Sequence, residues 1–247
     1  ALDASNPKDK IILDHILNGP LTRQPDLYIQ VSTPHEFQPM GKQYNIGITA
    51  GIETTLCSIP WIDGCNKMNT VWLISEHGKK VFESTKAQEK GPQGQLIRDI
   101  FINVPLDVLH NCVDTNIFRP VGMNEIPKTI NDELKQVKEK FAFLFVGHWL
   151  RGELGQDRKD VGMLVKVFCE VFKDNPSAQA LILKTSGATF SVMDRESILD
   201  RINQIKSTVN AKLLPRVYLM HGSLTEDEMN GLYNHPKVKA HVSFTKG

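Results

Sequence analysis

Three cationic side chains follow an apolar run in the second half of the chain. Phe141–Val146 is unbroken in its apolar character and ends at Gly147, and Arg151, Arg158 and Lys159 lie in the loop beyond it. A helical pattern starts shortly after Lys159, so this cationic pair stands where a helix begins. Cationic groups beside the N–H groups of a helix N-terminus are the partners that a phosphate or diphosphate requires. The loop therefore predicts an anion site, the alternative being a solvated pair at Arg158 and Lys159.

Strand and helix patterns alternate around this loop. Phe141–Val146 is typical of a strand buried on both faces of a parallel sheet, and Val161–Phe172 carries one apolar stripe at helical spacing. The later segments, in chain order, are a strand at Ala180–Leu183, a helix at Ile198–Val209, a strand at Arg216–His221, a helix at 226–234 and a strand at Ala240–Phe244. This alternation predicts a doubly wound α/β domain whose ligand lies beyond the carboxyl ends of its strands.

A second set of polar residues follows the third of these strands. His221 and Gly222 precede Leu224 and Thr225, and Glu228 completes the Ser/Thr-x-x-Glu pattern of a capping box with Thr225. Taken alone, these residues also fit a strand-end histidine and an ordinary helix cap.

The first half of the chain has a similar alternation. The sequence predicts a helix at Lys10–Leu17, strands at Asp26–Val31, Tyr44–Thr49, Thr70–Ile74 and Asp99–Val104, and a helix that begins at Ser75. We therefore predict a first α/β domain over residues 1–125, a linker with a solvated helix over 126–140, and a second domain over 141–247.

Composition narrows the functional classes. A net charge of +1, without a basic tract that carries aromatics, gives no case for a nucleic-acid partner. The sequence contains no HExxH, GxSxG, Walker A or GxGxxG motif, which disfavours metalloproteases, serine hydrolases, P-loop NTPases and dinucleotide enzymes. The four cysteines lack CxxC or metal-ligand spacing, which predicts reduced thiols in a cytoplasmic protein. No apolar run approaches the length of a membrane span.

Four segments together resemble the nucleotide-sugar domain of GT-B glycosyltransferases of family 4. These are Phe145–Leu150, Asp157–Asp160, Val217–Met229 and Val242–Gly247. In that family a strand ends in Gly-Arg, an Arg-Lys-Gly or similar triplet opens the first helix, and a later strand ends in Gly before a Ser/Thr-x-x-Glu helix start. A final strand then runs into Ser-x-x-Glu-Gly-Phe-Gly. The combination of the four segments is specific for this family, whereas no single segment would be enough to indicate it.

The resemblance implies roles for particular residues. A lysine at the position of Lys159 contacts the donor diphosphate, and Arg158, Arg151 and Gly147 belong to the same diphosphate site. The residues implied to bind the nucleotide are His221, Gly222, Leu224, Thr225 and Gly247. His148 stands where the family has an arginine, and Arg151 is the candidate substitute. Because Gly247 matches the first glycine of the final motif, the family's two acidic residues would follow it, and we expect the chain to be a fragment.

Four segments of the first half resemble the acceptor domain of the same enzymes. These segments are Gly47–Thr54, Ile59–Trp61, Cys65–Ser75 and Val113–Pro120. Several relatives have a histidine near the transferred sugar after a strand, which makes His35 a catalytic candidate. Glu53 and Trp61 are acceptor-side candidates. The respective alternatives are a plain loop histidine, a residue that caps the next turn and an aromatic packed in the core.

The resemblance as a whole implies two incomplete Rossmann-like domains that face each other across a cleft. It implies a hexosyltransferase-type enzyme that moves a sugar from a UDP- or GDP-linked donor to a hydroxyl of a glycan, lipid or other acceptor. Transfer would retain configuration and need neither metal nor cofactor, with peripheral membrane contact in the full-length protein, and the fragment alone is expected to be inactive. The open alternatives are a nucleotide-sugar epimerase of the same fold, a non-catalytic nucleotide-sugar or glycan-binding protein, and an unrelated α/β regulatory domain.

Overall fold

A computed structural model describes residues 2–16, 19–21, 23–52, 54–150, 154–187 and 189–244. The chain divides into two compact units, Ala1–Asn111 and Cys112–Gly247. Each unit contains its own parallel sheet and its own buried core. The predicted α/β class is therefore confirmed.

The first unit is built on a four-stranded parallel sheet with the strand order β1-β2-β3-β6. Its elements are α1 (Pro7–Leu13), β1 (Leu27–Val31), a short 3-10 helix (Pro34–Glu36), β2 (Tyr44–Thr49), α2 (Ile59–Cys65), β3 (Thr70–Leu73), α3 (Glu76–Ser84), β4 (Ala87–Lys90), β5 (Leu96–Ile100) and β6 (Leu106–Val108). Strands β4 and β5 form a separate antiparallel hairpin. Ser75, the predicted start of a helix, is the N-cap of α3 and accepts a hydrogen bond from the Gly78 N–H.

The fourth strand of this sheet differs from the prediction. The predicted strand Asp99–Val104 begins inside β5, and the strand that joins the parallel sheet is β6. Arg98 explains the hairpin, because its guanidinium bonds Glu89 on β4 at 2.7 Å and Asp63 on α2 at 2.8 Å. The pair with Glu89 joins the two strands of the hairpin, and the pair with Asp63 connects the hairpin to α2. The segment that follows β5 joins the parallel sheet only at β6.

Two glycines allow backbone elements of the first unit to approach closely. A Cβ on Gly64 would lie 1.8 Å from the carbonyl oxygen of Pro34, and a Cβ on Gly47 would lie 2.5 Å from the ring of Phe37. Phe37 is fully buried in the core of this unit. Helix α2 therefore rests directly on the 3-10 helix that carries His35.

The second unit has the strand order β10-β7-β8-β9, with every neighbouring pair parallel. Its elements are α4 (Lys128–Lys135), β7 (Ala142–Val146), α5 (Val161–Phe172), β8 (Ala180–Lys184), α6 (Val192–Ser207), β9 (Val217–Met220), α7 (Glu226–Asn234) and β10 (Val238–His241). The predicted alternation of strand and helix is confirmed, and the bounds of α5 and α7 are those predicted.

Core packing shows that helices cover both faces of this sheet. Leu181 and Leu183 of β8 pack with α5 and α6 residues, whereas Ile182 between them packs with α4 and α7 residues. Since successive strand residues point to opposite faces, both sides of β8 are buried. This is the reason for the continuous apolar run in the sequence.

The segment predicted as a linker with a solvated helix, 126–140, lies within the second unit. Its helix α4 buries Ile130 and Leu134 in the core. The preceding segment is also held to this unit, because the Arg119 N–H and the Val121 N–H donate to the side-chain oxygens of Asn230 and Asn234 on α7. The division between units therefore falls at 111/112, earlier than the predicted boundary at 125.

Among the described residues, no helix is long and apolar enough to cross a membrane.

Candidate functional site

The candidate site lies at the carboxyl edge of the second sheet, where β7, β8 and β9 end. In the strand register Val146 is the neighbour of Lys184, and Lys184 is the neighbour of Met220. The loops that follow these three strands therefore start side by side, and this is the edge at which doubly wound sheets bind ligands.

Gly147 and Lys159 are brought together at this edge. The Gly147 N–H donates to the Lys184 carbonyl at 3.1 Å, which extends the β7–β8 pairing past the strand end. A Cβ built on Gly147 would lie 3.7 Å from Cδ of Lys159 and 3.1 Å from the ring of Phe145. The Lys159 side chain therefore lies against the end of β7, beside the start of α5.

The start of α5 is shaped by acidic residues. Asp160, the N-cap of α5, has a left-handed backbone (φ 46°, ψ 43°), and its carboxylate accepts a hydrogen bond from the Gly155 N–H at 3.0 Å. Asp157 is buried, and neither of its carboxylate oxygens has a hydrogen-bond partner within the part of the chain that the structure describes. Arg158 between them is exposed, and the predicted site residue Arg151 lies outside the described residues.

Hydrogen bonds connect the loop after β7 to the residues that follow β8. The Trp149 N–H donates to the Ser186 carbonyl at 2.8 Å, and the His148 Nδ1 lies 3.2 Å from the Ser186 hydroxyl. Trp149 is buried, and the Arg201 guanidinium lies 5.8 Å from its ring. His148 is thus paired with a neutral hydroxyl.

Lys184 ends β8 and is a cation that the sequence predictions did not include. It is buried, its Nζ donates to the Gly222 carbonyl at 2.6 Å, and it lies 5.5 Å from the Phe190 ring centroid. Burial lowers the pKa of its ammonium group because desolvation disfavours the charged form.

His221 is held by an acidic partner from α6. Its Nε2 lies 2.9 Å from Oδ2 of Asp194, which also accepts the Gly187 N–H at 3.0 Å. The hydrogen bond from His221 is the main cause of the lowered pKa of Asp194. The Phe190 ring packs edge-on against His221 at 5.7 Å, so these residues join the loops after β8 and β9.

Gly222, Leu224 and Thr225 connect this cluster to α7. Gly222 has a left-handed φ of 116°, and no atom of the described residues lies within 4 Å of its Cβ position. The Leu224 side chain packs on the core. Thr225 and Glu228 form the predicted capping box, which engages the threonine hydroxyl. Gly247, also predicted to bind the nucleotide, lies outside the described residues.

The candidates His35 and Trp61 of the first unit lie on two elements that pack together, but in different surroundings. His35 is exposed on the 3-10 helix after β1, whereas Trp61 on α2 packs against the core at 6.1 Å from the Phe82 ring. Glu53 lies outside the described residues. The position of Trp61 favours the alternative of core packing, and the role of His35 stays a prediction.

The described residues contain no group of three or more His, Cys, Asp or Glu side chains that could hold a metal ion. Lys159 and Lys184 both lie at the edge of the second sheet, and ammonium groups are chemically suited to an anion.

Sequence reasoning missed Lys184 and Asp194 for different reasons. Lys184 directly follows an apolar strand, and this position alone could have placed it at the carboxyl edge. Asp194 lies in a polar stretch of α6, and its pairing with His221 across 27 residues follows only from the fold.

A solved structure that is similar to this chain confirms the fold. An α,α-trehalose-6-phosphate synthase from Burkholderia multivorans, a GT-B protein, matches 81% of this chain and 45% of its own chain, with a TM-score of 0.53 and 9% identity. At this identity the similarity shows the fold alone, and this chain spans less than half the length of that protein. The chain therefore has the α/β fold of GT-B proteins.

Two further structures match with TM-scores below 0.5, so they add nothing to the assignment of the fold. The first is an E. coli structure of trehalose-6-phosphate bound with UDP-2-fluoro glucose, at 7% identity and a TM-score of 0.46, which covers 76% of this chain and 44% of that one. The second is a Candida albicans trehalose-6-phosphate phosphatase N-terminal domain, at 17% identity and a TM-score of 0.44, which covers 76% and 43%. No protein-family model and no curated protein sequence matches the chain.

Proposed function

We propose that the second unit binds the diphosphate of a nucleotide-sugar donor at the carboxyl edge of its sheet. The observation that carries the proposal is the position of Lys159, which lies against Gly147 at the end of β7 and beside the start of α5. An ammonium group and a helix N-terminus at one sheet edge favour a phosphorylated ligand. Arg158, exposed in the same loop, is a further cation for the diphosphate.

The nucleotide part of the donor would be held by the loop after β9. His221 and Gly222 end that strand, and Leu224 and Thr225 lead into α7. Recognition of the base would depend mainly on backbone groups, because the Thr225 hydroxyl is engaged in the capping box and His221 is paired with Asp194. This arrangement is compatible with either a UDP- or a GDP-linked sugar.

The chain would thus be part of a glycosyltransferase of the family 4 type, which transfers the sugar to an acceptor hydroxyl with retention and without a metal. Negative charge develops on the departing diphosphate during such a transfer. Lys159 and the N-terminus of α5 would stabilise that charge where it forms, so that Lys159 contributes to turnover as well as to binding. His35, which is exposed on the 3-10 helix of the first unit, would contact the acceptor.

Binding of UDP and GDP by isothermal titration calorimetry tests the proposal. We expect Lys159→Ala to weaken diphosphate binding by about tenfold or more, since a hydrogen bond to a charged group contributes about 1.5–3 kcal/mol. Lys212→Ala is the matched control, because Lys212 is exposed in the loop before β9, at the opposite edge of the sheet. Equal affinity of the wild type and Lys159→Ala, or no binding of either nucleotide, would contradict the proposal.

A further inference from the structure

Lys184 carries a charge in a part of the sheet that is otherwise apolar. It is the last residue of β8, which pairs with β7 on one side and β9 on the other. All five residues of β8 are buried, and Lys184 itself is 9% exposed. The Lys184 side chain therefore lies at the carboxyl edge of the sheet and is largely buried from solvent.

The surroundings of Lys184 contain no counter-charge within the described parts of the chain. Its Nζ donates to the Gly222 carbonyl at 2.6 Å and lies 5.5 Å from the centroid of the Phe190 ring. Asp194, an acidic residue at this edge, is already bonded to His221 and to the Gly187 N–H. An ammonium group has three donors, and the carbonyl of Gly222 satisfies one of them.

Thr185, the next residue, also has a buried polar group. Thr185 is 2% exposed, and its buried hydroxyl has no hydrogen-bond partner within the described residues. A buried ammonium group without an anion and a buried hydroxyl without a partner are each costly to a folded protein. An anion with several acceptor oxygens at this strand end would compensate for both.

The strand register places this point next to the proposed diphosphate site. The Gly147 N–H bonds the Lys184 carbonyl, and the Lys159 side chain lies against Gly147. Gly147 thus contacts two lysines that belong to different elements.

We propose that Lys184 is a second phosphate-binding residue, which contacts an oxygen of the donor's diphosphate while Lys159 contacts the other side of the same group. This inference rests on the proposed function, because it assigns Lys184 to the same ligand. The Thr185 hydroxyl is the accompanying neutral donor. A purely positioning role, in which Lys184 only holds the Gly222 carbonyl, is the outcome that the test must separate from it.

The test compares ligands with and without phosphate. Calorimetry measures pyrophosphate, UDP and GDP against uridine and guanosine, on wild type, Lys184→Met and Lys184→Gln. The glutamine keeps a donor for the Gly222 carbonyl but removes the charge. We expect both variants to lose about ten- to a hundredfold in affinity for pyrophosphate and the nucleoside diphosphates, with nucleoside binding unchanged. Lys212→Met is the control and keeps wild-type affinity.

Three results would overturn the assignment of Lys184. Equal losses for nucleosides and diphosphates, or a loss in Lys184→Met that Lys184→Gln restores, would show that Lys184 only positions the Gly222 loop. Full diphosphate affinity in both variants would show that it does not touch the ligand. If Lys159→Ala loses affinity for the diphosphates while the Lys184 variants keep it, the proposed function stands and the assignment of Lys184 to the diphosphate is wrong. If the wild type binds no phosphate compound, both proposals fail.

A measurement on the wild type removes any dependence on how the variants fold. An amine-reactive acetylating reagent, followed by mass spectrometry, reports the accessibility of each lysine. Because Lys184 is only 9% exposed, we expect it to be labelled slowly in the free protein. Pyrophosphate should slow the labelling of Lys184 and of Lys159 further and leave the rate at Lys212 unchanged. Protection of Lys159 alone would contradict the role of Lys184.

Discussion

Gly187 and Asp194 allow a direct test of the contacts that hold His221 at the edge of the second sheet. Alanine at position 187 would place its Cβ 2.3 Å from Oδ1 of Asp194, which no real contact permits. The other carboxylate oxygen of Asp194 accepts hydrogen bonds from the Gly187 N–H and from His221. The carboxylate must therefore move in Gly187→Ala, and we expect this movement to break both bonds.

The cost of this loss follows from the two bonds. Hydrogen bonds to charged groups contribute about 1.5–3 kcal/mol each, but the side chain of Asp194 is 16% exposed and water replaces part of what is lost. We expect Gly187→Ala to lower the free energy of unfolding of the second unit by about 2 kcal/mol. That corresponds to a fall in Tm of about 4–8 °C.

A double-mutant cycle is the assay. Once Asp194→Ala has removed the carboxylate, Gly187→Ala has nothing to displace, so the double variant should be no less stable than Asp194→Ala alone. Gly122→Ala is the control and should be neutral, because nothing lies within 4 Å of its Cβ position. Additive losses in thermal or urea unfolding would refute the contact between these residues.

Two further predictions concern stability. Gly64→Ala should destabilise the first unit by about 3 kcal/mol, measured by urea unfolding against Gly122→Ala, because its Cβ meets the backbone of Pro34 at 1.8 Å; a loss below about 1 kcal/mol would contradict this packing. Burial lowers the pKa of His235, whose Nδ1 accepts the Lys237 N–H at 3.1 Å. As pH falls, His235 binds a proton at a higher pH in the unfolded chain than in the folded chain. The contribution of His235 to stability is therefore complete above about pH 6.5 and is lost as pH falls through the lower pKa of the folded state. The free energy of unfolding, measured with urea at pH 7.5 and at pH 5, should therefore change less in His235→Asn than in wild type. An equal change in the two proteins would show that His235 is not the cause.

The architecture of the second unit could be predicted because its two central strands, β7 and β8, are largely buried. Phe141–Val146 and the run that becomes β8 contain almost only apolar residues, and α5 between them carries an apolar stripe. Such patterns are local, so they do not depend on which segments meet in the fold. The same holds for the capping box at Thr225 and Glu228.

The first unit was harder to predict because its fourth parallel strand is short. Leu106–Val108 has three residues with a charged one at its centre, whereas Asp99–Val104 offers a longer β-branched run. What decides between them is the pairing of β5 with β4 and the bonds of Arg98 to Glu89 and Asp63. These contacts join residues far apart in sequence, and no local pattern reports them.

The candidate site was predictable only in part, for the same reason. Lys159 and Gly147 follow from a motif, since both lie in one loop after one strand. The pairing of Asp194 with His221 and the bond from Lys184 to Gly222 each join loops after different strands. They depend on the strand order of the sheet, which the sequence pattern leaves open.

The most direct test of the proposed donor site is a crystal structure of the chain with UDP or GDP bound. We predict that a phosphate oxygen lies within roughly 3 Å of the Lys159 ammonium group, at the edge where β7 and β8 end. A nucleotide bound at the opposite edge of the sheet, or with its phosphates pointing away from Lys159 and Gly147, would contradict the proposed site.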